Sequence, residues 1–374
     1  MANTIQIMNY AAPYPGNFMR SVRALESELG KSGASCLLLF PKGAQRLEWI
    51  ERLQREGSKI FFGAGSILQD ARLLASLISR YRIGILHSHF ASAKMHLAIR
   101  LARLACPQVA SVVHMHNHER ARSSLKNAFK RTIVDADLYV GVSEHVCTDL
   151  IAKGYSPQKC LLVPNAVDFS RLDSSRPAGA VRSGGKKVLM FGFDFERKGV
   201  DIALEALSRY DPHHEMTLMI VLAANFEEVK ARIEKLFQRV PEWVRLLPPN
   251  EDIASYYRMA DVFISPSREE GLPYALIEAA YCGLRLVASD IGGQAALGIP
   301  NLIYFRSQDP RGLYEALQAA TAEGQDARSI EEARDYVVSR FRLEKWVHDI
   351  VGIYARLSSG GGAWRRAPVV SSAR

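Results

Sequence analysis

The stretch Ser265-Pro-Ser-Arg-Glu-Glu-Gly-Leu-Pro-Tyr-Ala-Leu-Ile-Glu-Ala-Ala-Tyr-Cys-Gly-Leu-Arg-Leu-Val-Ala-Ser-Asp290 constrains the chain more than any other. It reads as the end of a strand at Ile264, a polar loop, a helix from about Pro273, a break at Gly283 and a strand over 285–288. Strand, helix and strand in so few residues form a βαβ unit, which requires a parallel sheet and puts the loop at the carboxyl end of a strand. Ligands of open α/β sheets bind at that end. Pro273 suits a first helical turn, and Gly271 permits close backbone approach. The N–H groups of Gly271, Leu272 and Tyr274 are thus placed to meet an anion, with the helix dipole assisting. Two carboxylates bracket the loop, Glu270 on it and Glu278 in the helix, about 8 Å along the axis from the helix start at roughly 1.5 Å per residue. That is the scale of a diphosphate with a sugar at either end.

With Pro-Ser before it, Gly-Leu-Pro inside it and Cys-Gly with an apolar strand after it, this stretch resembles the Glu-x7-Glu signature of the retaining GT-B glycosyltransferases of family 4. The resemblance implies that Glu270 holds hydroxyls of the donor sugar and Glu278 the nucleotide ribose. It also implies two facing Rossmann-like domains with parallel sheets and a C-terminal helix crossing back to the first.

Length and composition agree. A chain of 374 residues exceeds one ordinary domain. We read an N-terminal acceptor-side domain over 1–170, a Ser/Gly/Pro-rich linker over 171–186 and a nucleotide-sugar domain over 187–340. A crossover helix over 341–358 and a disordered tail over 359–374 follow. No apolar run reaches a membrane span, and the amino terminus has no signal-peptide pattern, so the expected location is cytoplasmic. Five cysteines without CxxC spacing argue against disulfides and structural zinc. A net charge of +9 calls for an anionic partner, a nucleotide diphosphate, a lipid phosphate or a membrane surface. Nucleic acid is not expected, for there is no RNP or helix-turn-helix pattern.

Along the chain, residues 4–9 form an opening strand, and the loop through Gly16 and Asn17 leads to a helix over 18–29. The resemblance implies that this loop approaches the donor phosphates, although paired glycines are usual there. Residues 83–87 read as a third strand and 108–113 as a fourth. His87, His89, His114, His116 and His118 cluster near these strand ends, but no clean third ligand with a second shell is evident, so no metal or other cofactor is expected. The resemblance points to His114, with His116 second, as reaching the transferred sugar. A helix over 119–133 puts Leu125, Phe129 and Ile133 on one side and Arg122, Lys126 and Lys130 on another. The basic face is either a solvated surface or a contact for an anionic membrane or lipid-linked acceptor. Asp135-Ala-Asp137 has DxD spacing but lies where a helix feeds a strand, and is read as coincidence.

Ser143-Glu and Pro164-Asn-Ala-Val-Asp168 resemble family segments, with Ala166 where glycine is usual. In the loop Gly192-Phe-Asp-Phe-Glu-Arg-Lys-Gly199, Lys198 matches the family's diphosphate lysine. Phe193 occupies the usual arginine slot and Arg197 is the substitute. Ala296 stands where the family has Glu, so no acid role is assigned there. The last helix has an apolar side of Trp346, Val347, Ile350, Tyr354 and Leu357. The expected reaction is retaining transfer of a hexosyl unit from a UDP- or GDP-linked sugar to a hydroxyl of a glycan or lipid-linked acceptor, in bacterial cell-surface polysaccharide or glycolipid synthesis. Lys198, Glu270 and His114 are its central residues. The alternatives are an epimerase of the same fold and a catalytically silent protein that binds a glycan or partner.

Overall fold

A computed structural model describes residues 1–116, 124–173, 185–222, 225–250, 252–322 and 327–359, without the side chains of 124–126 and 129. His118, Arg122, the side chains of Lys126 and Phe129, most of the linker and the tail lie outside the described residues.

The chain divides into two compact units, Met1–Asn165 with Leu343–Arg374, and Ala166–Arg342. The first runs β1 (Asn3–Met8), α1 (Gly16–Lys31), β2 (Cys36–Phe40), α2 (Glu48–Arg55), β3 (Lys59–Phe62), α3 (Ile67–Tyr81) and β4 (Ile83–His89). It continues with α4 (Ala93–Ala105), β5 (Ala110–Met115), α5 (Ser124–Ile133), β6 (Leu138–Gly141), α6 (Glu144–Ala152) and β7 (Cys160–Leu162). Its strands are parallel, in the order β3-β2-β1-β4-β5-β6-β7.

The second unit holds β8 (Lys186–Phe191), α7 (Val200–Tyr210), β9 (Met216–Val221), α8 (Phe226–Phe237), β10 (Val244–Leu247), α9 (Ile253–Met259) and β11 (Val262–Ser265). It ends with α10 (Tyr274–Tyr281), β12 (Arg285–Ser289), α11 (Gly292–Ala295), β13 (Ile303–Phe305), α12 (Pro310–Thr321) and α13 (Ala327–Phe341). Its parallel order is β10-β9-β8-β11-β12-β13. The last helix, α14 (Leu343–Ser358), belongs to the first unit.

Helices cover both faces of such sheets, so their strands are apolar throughout rather than alternating. Leu37, Leu38, Leu39 and Phe40 of β2 are all buried, as are Val287 and Ala288 of β12. On α14, Trp346, Val347, Ile350 and Tyr354 are buried as the periodicity predicts; Ile353 joins them and Leu357 is half-buried.

The strand at Ile83 is the fourth rather than the third, because Lys59–Phe62 forms an edge strand on β2. Four residues carry too little pattern to stand out, and pairing decides them. Ala166 is not among the described residues with positive φ, so it replaces glycine without strain. Asp137 of the DxD-like triplet is structural: its Oδ2 accepts from Arg103 Nη2 and from the Ser111 N–H, both at 2.7 Å. Among the described residues no helix is long and apolar enough to cross a membrane.

Each sheet reverses direction of growth once, between β1 and β4 and between β8 and β11. The loops leaving those strands diverge and open a crevice at their carboxyl ends.

Candidate functional site

In the second unit the crevice is formed by the loops after β8 and β11. They are locked together by backbone: Arg268 N–H donates to the Arg197 carbonyl at 2.8 Å. Gly199 has φ 68°, and a Cβ there would lie 2.0 Å from the Pro266 carbonyl oxygen. Only glycine meets both demands. Arg268 adds a two-pronged pair to Asp201, at 2.8 and 2.7 Å.

This packing brings Lys198 and Glu270 together. Lys198 Nζ lies 2.5 Å from Glu270 Oε1, with both side chains largely buried, and Arg197 Nη1 lies 3.7 Å from Oε2. Burial lowers the Lys198 ammonium from its usual range, against the opposing pull of Glu270. Arg197 is steadied by Asp194, whose carboxylate accepts from its N–H and Nε at 3.1 Å. Phe193 is 45% exposed, with Lys198 Nζ 4.4 Å from its ring centre and the Arg197 guanidinium at 5.4 Å. The aromatic in the arginine slot thus supplies a face to the two cations.

Glu270 is set from behind. Ser267 Oγ donates to its Oε1 at 3.0 Å. Gln294 Nε2 donates to Ser265 Oγ at 2.6 Å, and Ser289 Oγ to the Ser267 carbonyl at 2.5 Å. A Cβ at Gly293 would lie 1.9 Å from the Glu270 carbonyl, so the glycine lets α11 press against the loop. Sequence reasoning missed Gln294, whose signal is a buried amide beside two glycines. Gly271, Leu272 and Pro273 follow, buried, and lead into α10 with Tyr274 half-buried. Glu278, 4% exposed on α10, is ion-paired with Arg171 and accepts from the Tyr257 hydroxyl at 2.6 Å. Neither partner is marked in the sequence, for they lie 107 and 21 positions away.

In the first unit the crevice lies between β1 and β4. Gly16 and Asn17 open α1 there, Asn17 buried. His87, His89, His114 and His116 pack with Phe18, Phe90, Tyr354 and Trp346. His87 Nδ1 pairs with Tyr354 Oη at 2.6 Å and Tyr354 with Gln6 Nε2 at 2.9 Å. His89 Nε2 meets Gln6 Oε1 at 3.0 Å, and its Nδ1 meets His116 Nε2 at 3.1 Å. His114 is 2% exposed with both ring nitrogens unpartnered. Burial pushes it down to about 3 and lowers the other three well below the ordinary histidine range, so all four are neutral at pH 7. His116, 9% exposed, stacks on Phe90 at 4.1 Å, a non-glycine residue held at φ 53°. Left-handed backbone in a bulky residue is uncommon, costs of order 1–3 kcal/mol, and persists only where its surroundings hold it.

The sequence shows no clean third ligand with a second shell; among the described residues, the structure does bring ligand atoms of three histidines, His87, His89 and His114, within 4.8 Å of one another. The set is poorly directed, however. The His87 and His114 rings are within 11° of parallel, so their in-plane lone pairs run side by side, and both His89 nitrogens are already engaged. Coordination would break those bonds.

Of the basic face over 119–133, Lys130 is half-buried on α5; the rest lies outside the described side chains.

Two family models match this chain. One, "Glycosyltransferase Family 4", covers residues 20–171, and the other, "Glycosyl transferases group 1", covers 185–323, together more than three quarters of the sequence. The chain belongs to the GT-B glycosyltransferases of group 1 and family 4. Among relatives of this family member is a D-inositol 3-phosphate glycosyltransferase of Jonesia denitrificans, 26% identical over 54% of this chain and 52% of that protein. Another is the phosphatidylinositol N-acetylglucosaminyltransferase GPI3 subunit of Saccharomyces cerevisiae, 26% identical over 59% and 51%. The chain therefore spans about half the length of the curated relatives it matches. A glycosyltransferase from Rickettsia africae superposes with a TM-score of 0.80 over 96% of this chain and 100% of that one, at 19% identity. Anabaena HepE in complex with UDP and glucose gives 0.75 over 95% and 100%, at 17% identity. These two likenesses show the fold.

Proposed function

We propose that this protein transfers a hexosyl unit from a nucleotide diphosphate sugar to an acceptor hydroxyl, with retention at the anomeric carbon. The observation that carries the reading is the buried Lys198–Glu270 pair at the crevice of the second sheet. A buried ion pair adds little to stability by itself, since desolvation consumes most of its attraction. It makes sense where an incoming anion re-partners the cation.

When the diphosphate enters, Lys198 and Arg197 turn to its oxygens, and Glu270 is released to accept hydroxyls of the transferred sugar. As the bond to the anomeric carbon stretches, negative charge gathers on the departing phosphate. Fixed cations and the start of α10 at Gly271, Leu272, Pro273 and Tyr274 stabilise it with little reorganisation. Glu278 holds the ribose. In the first unit the family resemblance assigns the transferred sugar to His114, with His116 second, and the donor phosphates to the loop at Gly16 and Asn17.

HepE was solved with UDP and glucose, which favours a uridine donor here. The two relatives act on inositol-containing molecules by their names, which favours a phosphorylated or lipid-linked polyol acceptor at the inner face of a membrane, for which the sequence offers the cations Arg122, Lys126 and Lys130 at four-residue spacing. We place the reaction in cell-surface polysaccharide or glycolipid synthesis.

The test is mass spectrometry of products from UDP- and GDP-sugars with inositol phosphate, phosphatidylinositol and envelope lipid extracts as acceptors. Lys198→Ala is expected to lower turnover about 10²- to 10³-fold, the usual cost of losing one fixed donor to a developing anion. Near wild-type turnover in that variant would refute the assignment.

A further inference from the structure

Glu278 is held by residues from two other segments of the second unit. Tyr257 on α9 is 1% exposed; its hydroxyl lies 2.6 Å from Glu278 Oε2 and 3.4 Å from the Ala275 carbonyl, so the carboxylate takes the proton's direction. Burial, with Glu278 beside it, pushes that hydroxyl far above its ordinary range, and it stays a donor. Arg171, in the 3₁₀ turn Phe169–Leu172, pairs with Oε1. One oxygen thus meets a phenol and the other a guanidinium.

Two observations separate this arrangement from plain structural support. The turn carrying Arg171 has anchors of its own. Val167 N–H donates to the Phe341 carbonyl at 2.8 Å, the Phe169 ring stacks on Tyr281 at 4.5 Å, and the Tyr281 hydroxyl bonds Asp173. The turn does not need the ion pair to stay in place. Arg171 Nε is also buried with no hydrogen-bond partner, an unsatisfied donor of a kind native cores rarely tolerate without a reason.

We propose that Arg171 and Tyr257 are positioning residues that hold the Glu278 carboxylate with one oxygen toward each of the vicinal 2′- and 3′-hydroxyls of the donor's ribose, so that the site selects ribonucleotide over deoxyribonucleotide donors. The inference rests on assigning Glu278 to the ribose. A carboxylate gripped at both oxygens cannot turn to follow a single remaining hydroxyl, so a deoxy donor leaves one oxygen unanswered. Sites built to bond a hydroxyl reject the analogue lacking it far more strongly than apolar pockets reject a size change.

The experiment is isothermal titration of the full chain with UDP, 2′-deoxy-UDP and 3′-deoxy-UDP, and with GDP and 2′-deoxy-GDP, for wild type, Tyr257→Phe, Arg171→Ala and Arg171→Lys. Wild type is expected to prefer each ribonucleotide at least about tenfold. Tyr257→Phe, which removes one oxygen and keeps the packing, and Arg171→Ala should bring that ratio to within about threefold of unity, with Arg171→Lys recovering part of it. A structural role would weaken all nucleotides alike and leave the ratio unmoved. A full wild-type ratio in both Tyr257→Phe and Arg171→Ala overturns the positioning roles and leaves the ribose assignment standing. Wild type that binds ribo- and deoxynucleotides equally, or neither, overturns the ribose assignment and the inference with it.

Discussion

The buried imidazoles of the first unit make its stability depend on pH in a calculable way. His114 is 2% exposed, both its ring nitrogens lack partners, and burial holds it at about 3, against an unfolded value near 6.5. Its folded value is lower, so the unfolded chain binds the extra proton and stability falls as pH drops below about 6.5. Integrating between the two values, His114 alone costs about 2 kcal/mol at pH 5 and about 3 kcal/mol at pH 4, relative to neutral pH. His87, His89 and His116 are lowered in the same direction and act with the same sign. The perturbation is His114→Leu. An apolar group in place of an unsatisfied imidazole should leave stability at pH 7.5 within about 1 kcal/mol, or raise it. Between pH 7.5 and pH 5 the variant should lose about 2 kcal/mol less than wild type. The assay is urea unfolding read by hydrogen exchange in peptides from β4 and β5, which reports the first unit by itself. Because the comparison is a difference of differences, the variant's own baseline cancels. Equal losses in both proteins would refute the claim that His114 is buried neutral.

Two further outcomes follow from backbone and from the DxD-like triplet. Gly199→Ala combines a left-handed φ with a Cβ 2.0 Å from the Pro266 carbonyl. It should cost about 2 kcal/mol or more by chemical denaturation, with donor binding lost in parallel as the two loops separate; an unchanged midpoint would show that the loops are not locked there. Asp137→Ala removes the acceptor of Arg103 and the Ser111 N–H and should lower stability by about 1–3 kcal/mol. Its transfer rate should be the same with added magnesium or with chelator; a rate that falls only on chelation in the wild type would revive the metal reading of that triplet.

Much of the candidate site's composition could be read without coordinates. Glu270, Lys198 and Arg197 lie in two loops whose glycine, proline and charge spacing is local, each loop directly follows an apolar strand, and Glu278 lies on the helix that leaves the second loop. Position after a parallel strand is enough to put a residue at the ligand edge of a sheet. The fold class was legible for the same reason, since β-α-β alternation over hundreds of residues admits few arrangements.

What only tertiary structure decided is partnership. That Lys198 closes on Glu270 depends on strands β8 and β11 being neighbours, although 70 residues of sequence including two other strands lie between them. The same holds for Arg171 and Tyr257 on Glu278, for Gln294 behind the loop at Ser267, and for Gln6 and Tyr354 gathering two histidines of β4. Periodicity and loop chemistry are properties of a few consecutive residues and survive in one dimension. Side-chain pairing depends on sheet order and register, which the packing of the whole unit selects, and there the partners of the two carboxylates are set.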